Sequence, residues 1–197
     1  IVLTPFYTRV LPPAEYGIIT ELYAYVVFLL VVLTYGMETG FFRFASNKEE
    51  KEKRSVYSSV LVSVFSTSLI FALMIAIFLK PISGAMGYGE YPKYIMWLAL
   101  IVALDAFTSI PFARIRLLNK PLKYSIIRIV EVLVNLGLII FFLSYAPHHA
   151  DDTPWINKIY NKDLGVGNVL IANLAASTIK LLLLYGDLLA VFKGSID

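Results

Sequence analysis

The sequence predicts an all-α integral membrane protein, a polytopic helix bundle of about five full transmembrane helices plus the end of a truncated first one. Three observations predict it. Hydrophobic residues make up 58% of the 197 residues and charged residues 16%, with a mean hydropathy of +0.74; a soluble domain carries about a quarter charged residues. The apolar residues come in blocks, each close to the roughly 20 residues a helix needs to cross the hydrocarbon core. The polar residues gather between the blocks, whereas a soluble surface helix spreads them along one face.

The elements follow in order. Ile1 to Pro5 is apolar and reads as the tail of a first helix whose beginning is missing. A polar connection over 7–16 holds Pro12 and Pro13, and the first full span is predicted over 17–37. A charged loop from Arg43 to Arg54 leads to a span over 56–79, which closes at Pro81 and a Gly-rich turn from Gly84 to Gly89. The next span, 94–110, is predicted to stop or kink at Pro111, because proline lacks the amide donor a helix interior needs. A basic loop from Arg114 to Lys123 precedes a span over 124–145. A polar loop from Pro147 to Gly167 precedes the last span, 168–192, and the chain stops just past it. All 197 residues form one transmembrane lobe in this reading.

Charge sets the predicted orientation. Eleven lysines and arginines fall on one side of the alternation: Arg43, Lys48, Lys51, Lys53, Arg54, Arg114, Arg116, Lys120, Lys123, Arg128 and Lys193. Five fall on the other: Arg9, Lys80, Lys93, Lys158 and Lys162. The richer side is predicted to be cytoplasmic. Tyr91, Tyr94, Trp97, Trp155 and Tyr160 suit an interfacial belt on the poorer side. The net charge of +3 suits an anionic membrane face better than nucleic acid. The absence of cysteine excludes a disulfide framework and a thiolate metal site.

Ionisable groups inside spans cost about 2.5–3.5 kcal/mol at the bilayer centre, so they face a cavity or a partner. Lys180 sits near the middle of the predicted last span, with Asn173 and Ser177 on its face; Tyr124, Arg128, Glu131 and Asn135 share a face of the preceding span. Asp105 lies inside the 94–110 span, and Ser59, Ser63 and Ser66 form a small polar stripe. The economical arrangement turns four polar stripes toward one hydrated cavity. Structural alternatives stand beside it. Arg128 and Glu131 make an i, i+3 pair with a snorkelling arginine. Lys180 and Asp105 serve as structural glue, the serines as a close-packing stripe, and Lys48 to Arg54 as a solvated loop. Gly36 and Gly40 match G-x-x-x-G, a motif common by chance.

Chemistry of other kinds is not signalled. No zinc-protease, serine-hydrolase or phosphate-loop motif occurs. His148, His149, Asp151 and Asp152 cluster in the polar loop, yet read as solvated residues without a metal, and no cofactor is expected.

Three segments resemble a known family. Thr4 to Gly17 (TPFYTRVLPPAEYG) is similar to the first-loop pattern of polysaccharide biosynthesis proteins, the O-antigen type flippases of the multidrug/oligosaccharidyl-lipid/polysaccharide exporter superfamily. Tyr35 to Phe44 (YGMETGFFRF) resembles their second-helix ending, and Pro111 to Pro121 (PFARIRLLNKP) their fourth-to-fifth helix connection. The resemblance implies a first lobe of a two-lobed transporter without enzymatic activity. It would move undecaprenyl-diphosphate-linked oligosaccharide across the bacterial inner membrane by alternating access. Arg9, Arg43, Arg128 and Lys180 would hold the substrate, and Asp105 and Glu131 would couple ions. Membrane lipids, a glycan polymerase and glycosyltransferases would be partners. A drug exporter of the same superfamily would prefer a carboxylate-dominated cavity. A membrane-embedded glycan-assembly enzyme would need a catalytic motif.

Overall fold

A computed structural model describes residues 4–149, 156, 160–161 and 164–189. Every regular element among them is helical. The helices are α1 (Thr4–Val10), α2 (Pro13–Thr34), α3 (Met37–Ala45), α4 (Glu50–Ile77), α5 (Leu79–Ala85), α6 (Pro92–Leu117), α7 (Pro121–Ile140), α8 (Ala146–His149), α9 (Gly167–Leu183) and α10 (Tyr185–Leu189). A π-helical turn, Phe141–Tyr145, joins α7 to α8.

Four continuous helical stretches are long and apolar enough to cross a membrane: Pro13–Ala45, Lys51–Ile77, Pro92–Leu117 and Pro121–His149. The fifth, α9, is apolar and shorter at 17 residues, the lower end of what a span requires. Three spans open with proline in the first turn, at Pro13, Pro92 and Pro121. There the missing amide costs nothing and the fixed φ is already helical.

Several boundaries differ from the sequence expectation. The 7–16 connection is helical on both sides of Leu11 and Pro12. The charged run is mostly the start of α4, not a loop, with Lys48 and Glu52 paired at 2.9 Å one turn apart. Pro111 neither stops nor ends its span, since α6 runs on to Leu117. Phe112, Ala113 and Ile115 beyond it are buried, so packing holds that last stretch. Proline is tolerated in spans where neighbouring helices and hydroxyls satisfy the turn. The carbonyl that Pro111 frees is that of Phe107; the Thr108 and Ser109 hydroxyls in the same turn donate instead to the Leu104 carbonyl at 2.9 Å and the Ala106 carbonyl at 2.7 Å.

The core is α6. More than half of its apolar window is buried, 56% against 17% for each of the other three spans. It touches α2, α3, α4, α5, α7 and α9. Ala99, Ala106 and Ala113 are buried along it, and such small side chains let neighbouring backbones approach. The outer helices turn large apolar side chains outward: Val27, Phe28 and Val31 on α2, Ile70 and Leu73 on α4, Ile126, Val132 and Leu133 on α7. A lipid environment makes that exposure favourable.

Each end of the bundle is tied. At the end richer in basic residues, α10 is clasped through Asp187. Its backbone carbonyl accepts from the Tyr57 hydroxyl at 3.2 Å and Arg114 Nη1 at 3.1 Å, and its carboxylate pairs with Lys123 at 2.6 Å. At the opposite end the Tyr88 hydroxyl donates to Glu21 at 2.9 Å. Gly167 starts α9 beneath an aromatic stack, where a Cβ would lie 2.8 Å from Tyr94 Cε1 and 2.9 Å from Trp97 Cζ3. The Gly36 and Gly40 pair has no such role, because a Cβ at either meets nothing within 4 Å.

Two predictions follow from this architecture. Gly167→Ala should lower stability by roughly 1–3 kcal/mol through overpacking, read as a lower melting temperature in detergent. Single cysteines at the exposed Ser55 and Lys93, in a chain with none of its own, should react with a membrane-impermeant maleimide from opposite faces of a vesicle. Labelling from one face overturns the topology.

Candidate functional site

Three helices bring four charged side chains together in the half of the bundle nearer the basic end. Asp105 comes from the middle of α6, Glu131 and Arg128 from one face of α7, and Lys180 from the last turn of α9. Lys180 is thus not in the middle of its span, because α9 ends at Leu183 and turns. Its Nζ donates to Asp105 Oδ1 at 2.6 Å and to Glu131 Oε1 at 2.7 Å. The Lys180 side chain is only 3% exposed. Ser177, one turn earlier, donates to the same Asp105 oxygen at 2.7 Å. Arg128 Nη1 donates to Glu131 Oε2 at 3.0 Å. The i, i+3 pair and the lysine–aspartate pair weighed from sequence are therefore two edges of one network.

The network is balanced, with two cations against two carboxylates. A lone ammonium at this depth would be costly, and truncating one partner of a buried pair costs about 3–5 kcal/mol. Two short charge-assisted bonds offset the desolvation of Lys180. Further along α9, Asn173 donates to the Tyr23 hydroxyl at 3.3 Å, which extends the polar face to α2. The Asn135 side-chain oxygen is buried without a partner.

A cleft of about 230 Å³ opens on this network. Its walls include Thr34, Glu38, Asp105, Phe112, Arg116, Tyr124, Arg128 and Lys180. The Arg128 guanidinium lies 4.4 Å from the Phe112 ring centre, where the ring quadrupole attracts it. Arg116 pairs with Glu38 and lies 5.4 Å from the Phe42 ring and 5.7 Å from that of Tyr124. It thereby links α3, α6 and α7 at the mouth. The Arg128 and Arg116 side chains are 46% and 41% exposed, so these are the cations a solute in the cleft can reach.

The structure distributes the sequence candidates unevenly. Asp105, Arg128, Glu131 and Lys180 meet. Arg43 is exposed on the last turn of α3 and Arg9 is exposed at the end of α1; neither lines the cleft. The serine stripe stays outside as well. Ser59 and Ser66 are exposed, Ser63 shares a 2.7 Å hydrogen bond with the Tyr35 hydroxyl, and the buried serine is Ser68. Three polar helix faces meet, not four.

Glu38, Phe112 and Arg116 were not singled out from sequence. Taking Pro111 as a helix end placed Arg116 in a loop. Continued helically, Asp105, Thr108, Ser109, Phe112 and Arg116 fall on one stripe, and that spacing is the signal that finds them.

His148 and His149 turn back onto their own helix, their Nδ1 atoms at 2.8 Å from the Ser144 carbonyl and 3.0 Å from that of Tyr145. Asp151 and Asp152 lie outside the described residues. Among the described residues no three histidine or carboxylate side chains gather to hold a metal.

A family model described as polysaccharide biosynthesis protein matches residues 6–148. The chain belongs to that family. The match runs from Phe6 in α1 to His148 in α8 and contains Asp105, Arg128 and Glu131; Lys180 and Asp187 lie beyond it. No curated protein and no solved structure matches the chain. A helical membrane protein of polysaccharide biosynthesis thus carries a charge-balanced network at the base of a polar cleft.

Lys180→Met should leave two buried carboxylates without their shared cation and destabilise the bundle by about 3–5 kcal/mol. Adding Asp105→Asn and Glu131→Gln should recover most of the lost thermal stability. Equal melting temperatures for wild type and Lys180→Met would show that the network carries no structural load.

Proposed function

We propose that this polysaccharide biosynthesis protein forms one lobe of a flippase that carries lipid-linked oligosaccharide across the bacterial inner membrane by alternating access. The observation that carries the reading is the cleft, in which two arginines are reachable and the lysine is not. A diphosphate needs planar, fully charged donors that grip two oxygens at once, and arginine supplies them. Arg128 is the better placed. Its only anionic partner among the described residues is the Glu131 carboxylate, which also serves Lys180. When a phosphate takes Arg128, Glu131 keeps a cation and no charge is stranded.

In this reading Lys180 positions rather than binds, because both of its short bonds already go to carboxylates. Asp105 and Glu131 are the groups through which an ion gradient would act. A proton on either carboxylate leaves Lys180 to the other and changes how α6, α7 and α9 are held. The reaction breaks no covalent bond, so no nucleophile or acid–base pair is assigned.

The test is complementation. The gene encoding the chain is expressed in a bacterium lacking its own surface-glycan flippase, and surface glycan is scored at matched protein levels. Arg128→Ala should cut export roughly ten- to a hundredfold, the effect of losing a charged hydrogen bond of about 1.5–3 kcal/mol. Arg128→Lys should retain part of it. Wild-type export in Arg128→Ala would remove the cleft from the translocation route.

A further inference from the structure

A second cavity lies at the opposite end of the bundle, away from every residue of the charge network. It is a groove of about 670 Å³, lined by Ile18 and Glu21 of α2, by Gly84 near the end of α5 and by the α5–α6 turn from Met86 to Tyr91. This is the Gly-rich turn noted from the sequence, and the cleft chemistry makes no use of it. We propose that this groove binds uncharged pyranose rings of the translocated glycan on the side where it emerges; the assignment rests on the flippase reading and specifies the class of sugar.

The groove offers the two surfaces a sugar ring requires. One is a carboxylate fixed in place. The Tyr88 hydroxyl donates to Glu21 Oε2 at 2.9 Å and the Tyr25 hydroxyl to Oε1 at 3.2 Å. Burial first, and then the Glu21 carboxylate, raises the pKa of Tyr88, which keeps it a donor. Each carboxylate oxygen retains a lone pair for a sugar hydroxyl. No lysine or arginine among the described residues pairs with Glu21 or Glu90, whereas at the basic end Glu38, Glu131 and Asp187 all have cationic partners.

The other surface is an aromatic platform. Tyr91 is stacked on Tyr94 with ring centres 5.2 Å apart and planes 14° apart, and Tyr94 is stacked in turn on Trp97. Tyr91 is 47% exposed at the groove wall. A ring held from behind presents a rigid face for the C–H face of a pyranose. Gly84, Gly87 and Gly89 complete the wall without side chains. Gly87 has φ of +79°, which keeps glycine there.

The bland reading is an interfacial tyrosine belt. Glu21 and Glu90 argue against it, since carboxylates in the wall repel lipid phosphates. They repel uronic acids for the same reason, which makes the groove selective for uncharged sugars.

The experiment is saturation-transfer NMR on the protein in nanodiscs, with an N-acetylglucosamine disaccharide, a glucose disaccharide and a galacturonate disaccharide as probes. At least one neutral disaccharide should receive saturation and the galacturonate should not. Glu21→Gln and Tyr91→Ala, the first isosteric and the second exposed, should each weaken the neutral signal about tenfold, equivalent to 1.4 kcal/mol. Arg128→Ala should leave it unchanged. Absence of transfer from both neutral probes, or equal transfer from the galacturonate, overturns the proposal. Because binding is read without translocation, sugar binding alongside Arg128-independent export retains the groove and rejects the cleft. Arg128-dependent export without sugar binding does the reverse.

Discussion

A single buried ammonium organises this bundle. Lys180 cannot sit in a low-dielectric interior unless it is paired, and both of its partners come from other helices. The requirement fixes the rotation of α9 about its own axis, since only one face carries Ser177 and Lys180. It fixes α7 through Glu131 and α6 through Asp105. Apolar packing alone would hold these helices loosely, because lipid tails are as good a partner for leucine as another helix is. Polar pairing supplies the register that hydrophobic contact cannot.

The same constraint explains why the two ends differ. Toward the basic end the carboxylates of the network, the cleft mouth and the α10 clasp are consumed by cations, so that end is rich in basic residues yet nearly neutral where its helices meet. At the opposite end Glu15, Glu21 and Glu90 have no such partners among the described residues. Glu21 is held instead by the hydroxyls of Tyr25 and Tyr88. The bundle is therefore polarised along its axis in kind of chemistry as well as in net charge, with ion pairs at one end and hydroxyl–carboxylate contacts at the other.

Most of the fold was legible in the sequence because the bilayer imposes a long, simple pattern. Blocks of apolar residues mark spans whatever their neighbours do. The errors came where local rules and tertiary packing compete. Pro111 is a helix breaker by propensity, yet the buried Phe112, Ala113 and Ile115 hold α6 beyond it. Lys48 to Arg54 looks like a loop by charge, yet a helix entering the aqueous interface can be charged all round. The site was half legible. Asp105, Arg128, Glu131 and Lys180 stood out because charge inside an apolar block is costly. Glu38 and Arg116 did not, because at a span's end charge is cheap and carries no signal until the other helices are in place. Arg9 and Arg43 fall at opposite ends of the bundle, a separation that the loop alternation already contained.

Under the proposed flippase function, the balance of charge in the cleft bears on how substrate would be held and released. A site with excess positive charge would hold a diphosphate strongly and release it slowly. A site whose cations are already paired binds only by exchange, so the carboxylates set the strength of the grip. Glu131 is the group that makes exchange inexpensive, because it bridges a reachable cation and a buried one. In the proposed flippase, substrate would displace it from Arg128 while Lys180 keeps it neutralised. Asp105 then retains its bonds from Ser177 and Lys180, so the helix register survives the event. The proposed binding thus falls on the exposed side of the network, and the pairs that hold the helices on the buried side. A carrier that must both hold its cargo and let it go requires that separation.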